Sequence, residues 1–418
     1  MPQQPSRFLA AVGDSNDPLT WSGIPYHFLQ SARTGGLLDE GLPLSTEGGS
    51  WRAARVAWNM ARVFGFDRPG GYQYSEAFLE RLWRPVRERI KGGIIINCFQ
   101  LYAPSVVRDP GIEKWFFIDQ TLLQLFDYYE QRPLIGRRIA REAISAERAG
   151  YAAARGIIVH SRWAEESLLR SYAIPQRRIH VVVPGANLDA SAYARWEAEE
   201  LSRRSANGGE RVGRPVRLLF VGKYWRRKGL DRLLRALALG RRSGLAATLR
   251  VVGCERETLP RELRNIKGVE WTGFLDKRKS AGQFLRTLAE CDVGCLLSRV
   301  EAGGIALREY HALGLAVLGT DAGGAAEHMI SGASIPVSTR ASDEEIASKL
   351  LELERDSSRL RELRDAAWRG RRQALWETTV ERILSFWPHE QQQRDISGQP
   401  PKASSGYLSQ SLSAGNTR

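Results

Sequence analysis

The chain has 418 residues, 43% of them hydrophobic and 26% charged, which predicts two or three domains with cores that need no staples. Its formal net charge of +14 predicts attraction to an anionic partner: nucleic acid, phosphorylated metabolites or an acidic membrane surface. The four cysteines, Cys98, Cys254, Cys291 and Cys295, lack the spacing of a zinc site, and no apolar run approaches the ~20 residues of a spanning helix. The expectation is a cytoplasmic protein with reduced thiols, no metal, and membrane contact only from the inner face.

In chain order, "RFLAAVG", "GGIIINCF", "EKWFFID", "ARGIIVH" and "IHVVVPG" read as five strands separated by helix-like segments. Short continuous apolar runs alternating with helices predict a parallel sheet covered on both faces. The polar, glycine-bearing stretch "EAEELSRRSANGGERVGRP" predicts an inter-domain linker. The alternation then restarts: "VRLLFVG", "ATLRVVG", "GVEWTGF", "VGCLLS", "LAVLGTD" and "ASIPVS" read as strands of a second sheet, and Ser342 as the N-cap of a late helix. The segment "TTVERILSFWPHE" reads as a final helix, followed by a Gln-, Ser-, Gly- and Pro-rich tail expected to be disordered. The predicted domains are 1–205, a linker at 206–214, 215–375, a helix at 376–390 and the tail at 391–418. Two doubly wound α/β halves would face each other across a cleft at the carboxyl ends of their strands.

Two loops of the second half carry chemistry. "VGKYWRRKGLDRLL" is strand, glycine turn, basic loop and helix, so Lys223, Arg226, Arg227 and Lys228 crowd a helix N-terminus suited to a diphosphate. It is neither a dinucleotide fingerprint nor a P-loop. In "SRVEAGGIALRE", Glu301 and Glu309 flank Gly303 and Gly304, so two carboxylates that accept from hydroxyl pairs stand beside backbone amides without side chains in the way. "TDAGGAAEH" supplies a second bare turn with Glu327 after it. Each feature alone reads equally as solvated surface; together they line one cleft.

This combination resembles the donor domain of retaining GT-B glycosyltransferases, glycosyltransferase family four. The matching residues are Gly222, Lys223, Lys228 and Gly229, the glutamates 301 and 309, and Asp321, Gly323, Gly324 and Glu327. The family usually has Arg where Lys223 stands, and a bulky residue within the small run that here reads "AGG".

The resemblance implies two Rossmann-like domains and a sugar transferred from a nucleotide diphosphate, UDP or GDP, to a hydroxyl acceptor with retention. That acceptor would be a saccharide or glycolipid, lipid-linked or anionic, as in cell-surface polysaccharide synthesis. No cofactor beyond the nucleotide-sugar co-substrate is implied. Lys223 and Lys228 would neutralise the diphosphate, Glu309 would hold the ribose, and Glu301 with the amides of Gly303, Gly304 and Ile305 would hold the sugar. In the first half, Ser22 and Gly23 match the loop that approaches phosphate and acceptor. Asp119 stands where the family has a histidine and would act as a base toward an acceptor hydroxyl, or else cap the next helix with Thr121. His160 reads as a cleft-end candidate or as helix entry beside Ser161, His27 as packing, and Glu147 with Arg148 as a structural acid–base pair.

The competing readings are a phosphorylase or epimerase relative, a basic nucleic-acid-binding protein, and a non-catalytic nucleotide-sugar binder. The nucleic-acid reading lacks a recognisable binding module.

Overall fold

The computed structural model describes residues 5–65, 67–130, 135–207 and 214–387. Among the described residues, six of the fourteen strands form a first parallel sheet. They are β1 (Arg7–Ala10), β3 (Glu40–Gly41), β5 (Ile94–Asn97), β6 (Glu113–Ile118), β7 (Gly156–Val159) and β8 (Ile179–Val181), in the order β3-β1-β5-β6-β7-β8. The two-residue strands β2 (Gly13–Asp14) and β4 (Pro43–Leu44) pair antiparallel beyond the carboxyl end of β1. Six more strands form the second parallel sheet: β9 (Arg217–Val221), β10 (Thr248–Val252), β11 (Val269–Gly273), β12 (Val293–Leu296), β13 (Ala316–Thr320) and β14 (Ser334–Val337). Their order is β11-β10-β9-β12-β13-β14.

Every strand expected from the apolar runs is present. The run Ile94–Ile96 is buried along its length because helices cover both faces of the sheet. The short strands β2, β3 and β4 carry no comparable apolar run and are paired by their neighbours. Strand order reverses beside β1 in the first sheet and between β9 and β12 in the second. Doubly wound sheets open a crevice at such reversals, outside the carboxyl ends of the strands.

Packing changes sides twice. Ala186, Leu188, Ala192 and Tyr193 belong to an apolar cluster of the second domain. The helix Ala190–Asn207, read from sequence as part of the first domain and the linker, packs there through Tyr193, whose hydroxyl donates to the Ala312 carbonyl at 3.0 Å, and through Trp196 against Trp368. Residues 208–213 of the expected linker, and the whole expected tail at 391–418, lie outside the described residues. The helix Trp376–Leu384 returns to the first domain: Trp376, Val380 and Ile383 join the cluster of Phe28 and Phe117, with Trp376 stacked on Phe28 at 5.5 Å. Residues 388–390 of this expected closing helix also lie outside the described set.

The two crossings are tied together. Asn187 is fully buried; its Oδ1 accepts from the Trp376 indole at 3.0 Å and its Nδ2 donates to the Ser22 carbonyl at 2.9 Å. Buried Arg308 donates to the Pro184 and Gln373 carbonyls, one on each crossing.

Candidate active site

Between the domains lies a cavity of about 390 Å³. Its lining includes Ser22, Asp119 and His160 from the first domain, and Lys223, Lys228, Glu301, Gly303, Gly304, Ile305 and Glu309 from the second. Gly23 is buried beside Ser22 at the start of the helix Ile24–Thr34.

The second-domain wall is built at the β9/β12 reversal. After β9, the chain turns through Gly222 into the basic loop, and Gly229 opens the helix Leu230–Arg242. Gly229 has φ +73°, and a Cβ there would collide with the Leu297 carbonyl, so the loop after β9 lies hard against the loop after β12. That contact brings Lys228 to Glu301. The Glu301 Oε2 accepts from Lys228 Nζ at 3.3 Å, Arg227 at 3.2 Å and the Ser298 hydroxyl at 3.1 Å. Burial pushes the Glu301 carboxyl up, but Lys228 and Arg227 outweigh it and hold the group below the ordinary carboxylate value. Arg299 is drawn off to a two-pronged pair with Asp231, 2.8 Å on each arm, which fixes the loop.

Lys223 is placed differently. It is exposed, with Nζ 4.4 Å from the centroid of the Phe274 ring at the end of β11. Arg226 is exposed. Sequence reasoning singled out Lys223 and Lys228; Arg227 is the second cation on Glu301.

Gly304, at φ +88°, caps the helix Ile305–Ala312, and Glu309 sits one turn in, buried. Glu309 Oε1 accepts from Lys277 Nζ at 2.7 Å, and the same ammonium donates to the Asn187 carbonyl at 3.0 Å. Lys277 is the first residue of the helix Lys277–Ala289, capped by Asp276, and sequence reasoning missed it. Through Asn187 it links Glu309 to the Ser22 carbonyl across the cleft.

The first-domain wall is less charged. Trp21 (φ 48°) and Ser22 (φ 61°) hold left-handed conformations rare for side-chain-bearing residues, a strain typical of ligand loops. Burial pushes the Asp119 carboxyl up to about 6, Glu301 adding to the push and Arg227 opposing it. Asp119 and the Glu301 cluster therefore share one electrostatic neighbourhood. Of the two readings of His160, the cleft-end one matches its position: it lines the cavity, its Nε2 is buried without a hydrogen-bond partner, and burial lowers its pKa to about 3. Facing the same cavity is His328, which sequence reasoning did not single out. Both its ring nitrogens are buried without partners, and a Cβ on Gly303 would come within 2.8 Å of the ring. Buried donors and acceptors without partners are rare in proteins, and these stand where a polyhydroxyl ligand would supply them.

Two contacts close the domains over the site. The Tyr129 hydroxyl accepts from the Ala302 amide at 2.8 Å, and Glu327 accepts from the Arg162 amide at 2.6 Å. Glu327 thus caps the helix Arg162–Tyr172 of the other domain, although burial raises its carboxyl more than the Arg162 and Trp163 amides lower it. Asp321 accepts from the Thr339 amide at 2.9 Å and serves the loop rather than the cavity.

Glu147 and Arg148 do not touch the cavity. Glu147 accepts from the Leu122 amide and the Tyr151 hydroxyl, each at 2.7 Å, and from Tyr172; burial pushes its carboxyl up to about 8. Arg148 donates to the Ser171 carbonyl at 3.0 Å and stacks over Tyr172. His27 is a buried packing residue of the helix Ile24–Thr34. Among the described residues, no three His, Cys, Asp or Glu side chains are grouped to hold a metal ion.

Residues 204–369 match the family model described as Glycosyl transferases group 1. No curated protein matches the chain. Sucrose-phosphate synthase from Thermosynechococcus elongatus superposes with a TM-score of 0.62 at 16% identity, over 94% of this chain and 100% of that one. WaaG, a glycosyltransferase involved in lipopolysaccharide biosynthesis, gives 0.60 at 16% identity, over 91% and 100%. HepE from Anabaena, solved in complex with UDP and glucose, gives 0.58 at 15% identity, over 91% and 98%. At such identities the structural likeness is one of fold: GT-B, two Rossmann-like domains across a cleft.

Proposed function

We infer that this chain, a transferase carrying a glycosyl transferases group 1 domain on a GT-B frame, moves a sugar from a nucleotide-diphosphate donor to a hydroxyl acceptor with retention. The observation that carries the reading is the convergence on one cavity of Lys228, Arg227 and Glu301 from one domain with Asp119 and Ser22 from the other.

The chemistry follows from where charge develops. As the anomeric carbon–oxygen bond to the diphosphate breaks, positive charge grows on the sugar ring and negative charge on the leaving phosphate. Lys228 and Arg227, already fixed beside Glu301, would stabilise the phosphate, and Lys223 at the Phe274 edge would meet the outer phosphate. Ionised Glu301 and the amides of Gly303–Ile305 would hold the sugar, with His160 and His328 taking further hydroxyls. Glu309, anchored by Lys277, would accept from the ribose. The acceptor oxygen bonds to the same anomeric carbon on the face the diphosphate leaves. Its proton passes to the departing phosphate oxygen or to Asp119.

The bound UDP and glucose of HepE support UDP as the first donor nucleotide to test; GDP is the second. A thermal-unfolding screen with nucleoside diphosphates and their sugars checks the reading. One of them should raise the wild-type melting temperature and leave Lys228→Ala unmoved, and its sugar should turn over in wild type but not in Glu301→Gln. Stabilisation by oligonucleotide alone would sink it. Donor binding without turnover on any acceptor would leave a nucleotide-sugar binder.

A further inference from the structure

The helix Gly49–Phe64 has no buried residue and is apolar on both sides. Its inner face is occupied: Trp51, Ala54 and Trp58 pack on the first-domain core, Arg81 stacks over Trp51 at 4.5 Å, and the Trp58 indole donates to the Gly70 carbonyl at 3.0 Å. The helix is thereby pinned and cannot rotate its other side inward. That outer side carries Val56, Met60, Val63 and Phe64, which are 55%, 53%, 56% and 76% exposed. At helical spacing these four, with Ala53 and Ala57, share one face. Four of the nine large hydrophobic residues exposed among those described therefore sit on a single helix. Surface helices of soluble domains turn a polar face outward; this one does not.

The charge on the helix itself is one-sided, with exposed Glu47 just ahead of its first turn. Residues 49–64 contain three arginines and no acid. Arg62 is engaged with Asp67, while Arg52 and Arg55 are exposed beside the apolar face. A second copy docking about a two-fold axis would bring the same arginines toward their own images with no helix acid to meet them. An anionic lipid surface offers apolar chains to the one feature and negative headgroups to the other.

We propose that the helix Gly49–Phe64 is a membrane-docking surface. It lies in the interface of an anionic bilayer with Val56, Met60, Val63 and Phe64 inserted and Arg52 and Arg55 at headgroup level. The helix starts soon after β4, at the end of the first sheet that also carries Ser22 and Asp119. Docking there sets the cleft beside the bilayer, which suits an acceptor hydroxyl borne on a lipid. That consequence rests on the transferase reading; the binding itself does not.

The full-length protein is sedimented with vesicles of phosphatidylcholine alone or mixed with phosphatidylglycerol, while turnover is followed with a water-soluble acceptor. Wild type should partition at least about tenfold more to the anionic vesicles, given roughly a tenfold gain for 1.4 kcal/mol and about 1 kcal/mol per basic residue. Val56→Ser/Met60→Ser/Phe64→Ser should lose that binding with unchanged melting temperature and soluble turnover. Arg52→Gln/Arg55→Gln should lose the lipid selectivity. Equal binding to both vesicles, or wild-type binding by the triple variant, overturns the proposal. So does a concentration-dependent dimer in sedimentation equilibrium that the triple variant abolishes, which would give the face to a second copy. Vesicle binding without turnover would count against the transferase reading alone, and turnover without vesicle binding against the docking surface alone.

Discussion

The second-domain wall of the cleft brings fixed charge: Lys228 and Arg227 on an ionised Glu301, and Lys277 on Glu309. The first-domain wall opposite brings a carboxyl pushed toward neutrality, the buried His160 ring with its Nε2 unpartnered, and a loop in left-handed conformations. Burial acts on both walls, yet only on the second do cations outweigh it. The difference suits a division of labour, in which one wall answers charge that develops on the donor and the other handles a proton and neutral hydroxyls.

The sharpest way to break that contrast is to remove the second wall's charge. Lys228→Ala or Glu301→Gln should each lower kcat/KM about 10²–10³-fold, the cost of losing a preorganised electrostatic contact. Glu301→Gln also leaves two cations without their carboxylate, so its melting temperature should fall where that of Lys228→Ala changes less. A pair of variants with near-wild-type rates would dissolve the distinction.

On the first wall, Asp119→Asn should lower turnover about 10²-fold and raise stability at neutral pH by about 1–3 kcal/mol. The sign follows from linkage. A carboxyl raised to about 6 in the folded chain is favoured there only while protonated, so its contribution is present below its unfolded value near 4 and lost as pH rises through 6. The stabilising effect of the variant should therefore appear above pH 6 and vanish below 4. Wild-type kcat/KM should fall on an acid limb near pH 6 that the variant lacks. A destabilised Asp119→Asn would mean that the carboxylate is stabilised by its surroundings after all.

Lys277→Gln tests the link between walls. It should raise the donor KM about tenfold with kcat little changed, because it frees Glu309 without touching the breaking bond. A change in kcat alone would contradict the anchoring role. Glu327→Gln is the gentlest probe: the inter-domain cap keeps its hydrogen bond and sheds a carboxyl that burial has pushed up, so stability at neutral pH should hold or rise slightly and kcat/KM change only a few-fold.

Local pattern carried a large part of this protein. The eleven apolar runs read from the sequence became strands because burial on both faces of a parallel sheet demands uninterrupted hydrophobic side chains. Lys228, Glu301 and Glu309 were visible as cavity candidates because they stand at or just after loops at strand ends, where glycines and charges stand out within a dozen residues. Lys277, His328 and Asn187 were not visible, since each acts on a partner more than seventeen positions away or on none in the chain. The side on which residues 190–207 pack was equally hidden: the helix is rich in charge, and only Tyr193 and Trp196 show which core it joins.

What the sequence determined by itself was the pair of doubly wound domains and the position of two charged, glycine-bearing loops at strand ends, because strand hydrophobicity and helix-end geometry depend on near neighbours. Tertiary structure alone decided which cation meets which carboxylate, and which histidines are left facing the cleft. It also decided which helix turns an apolar face outward. Those outcomes depend on how distant segments are brought together and what they exclude from water.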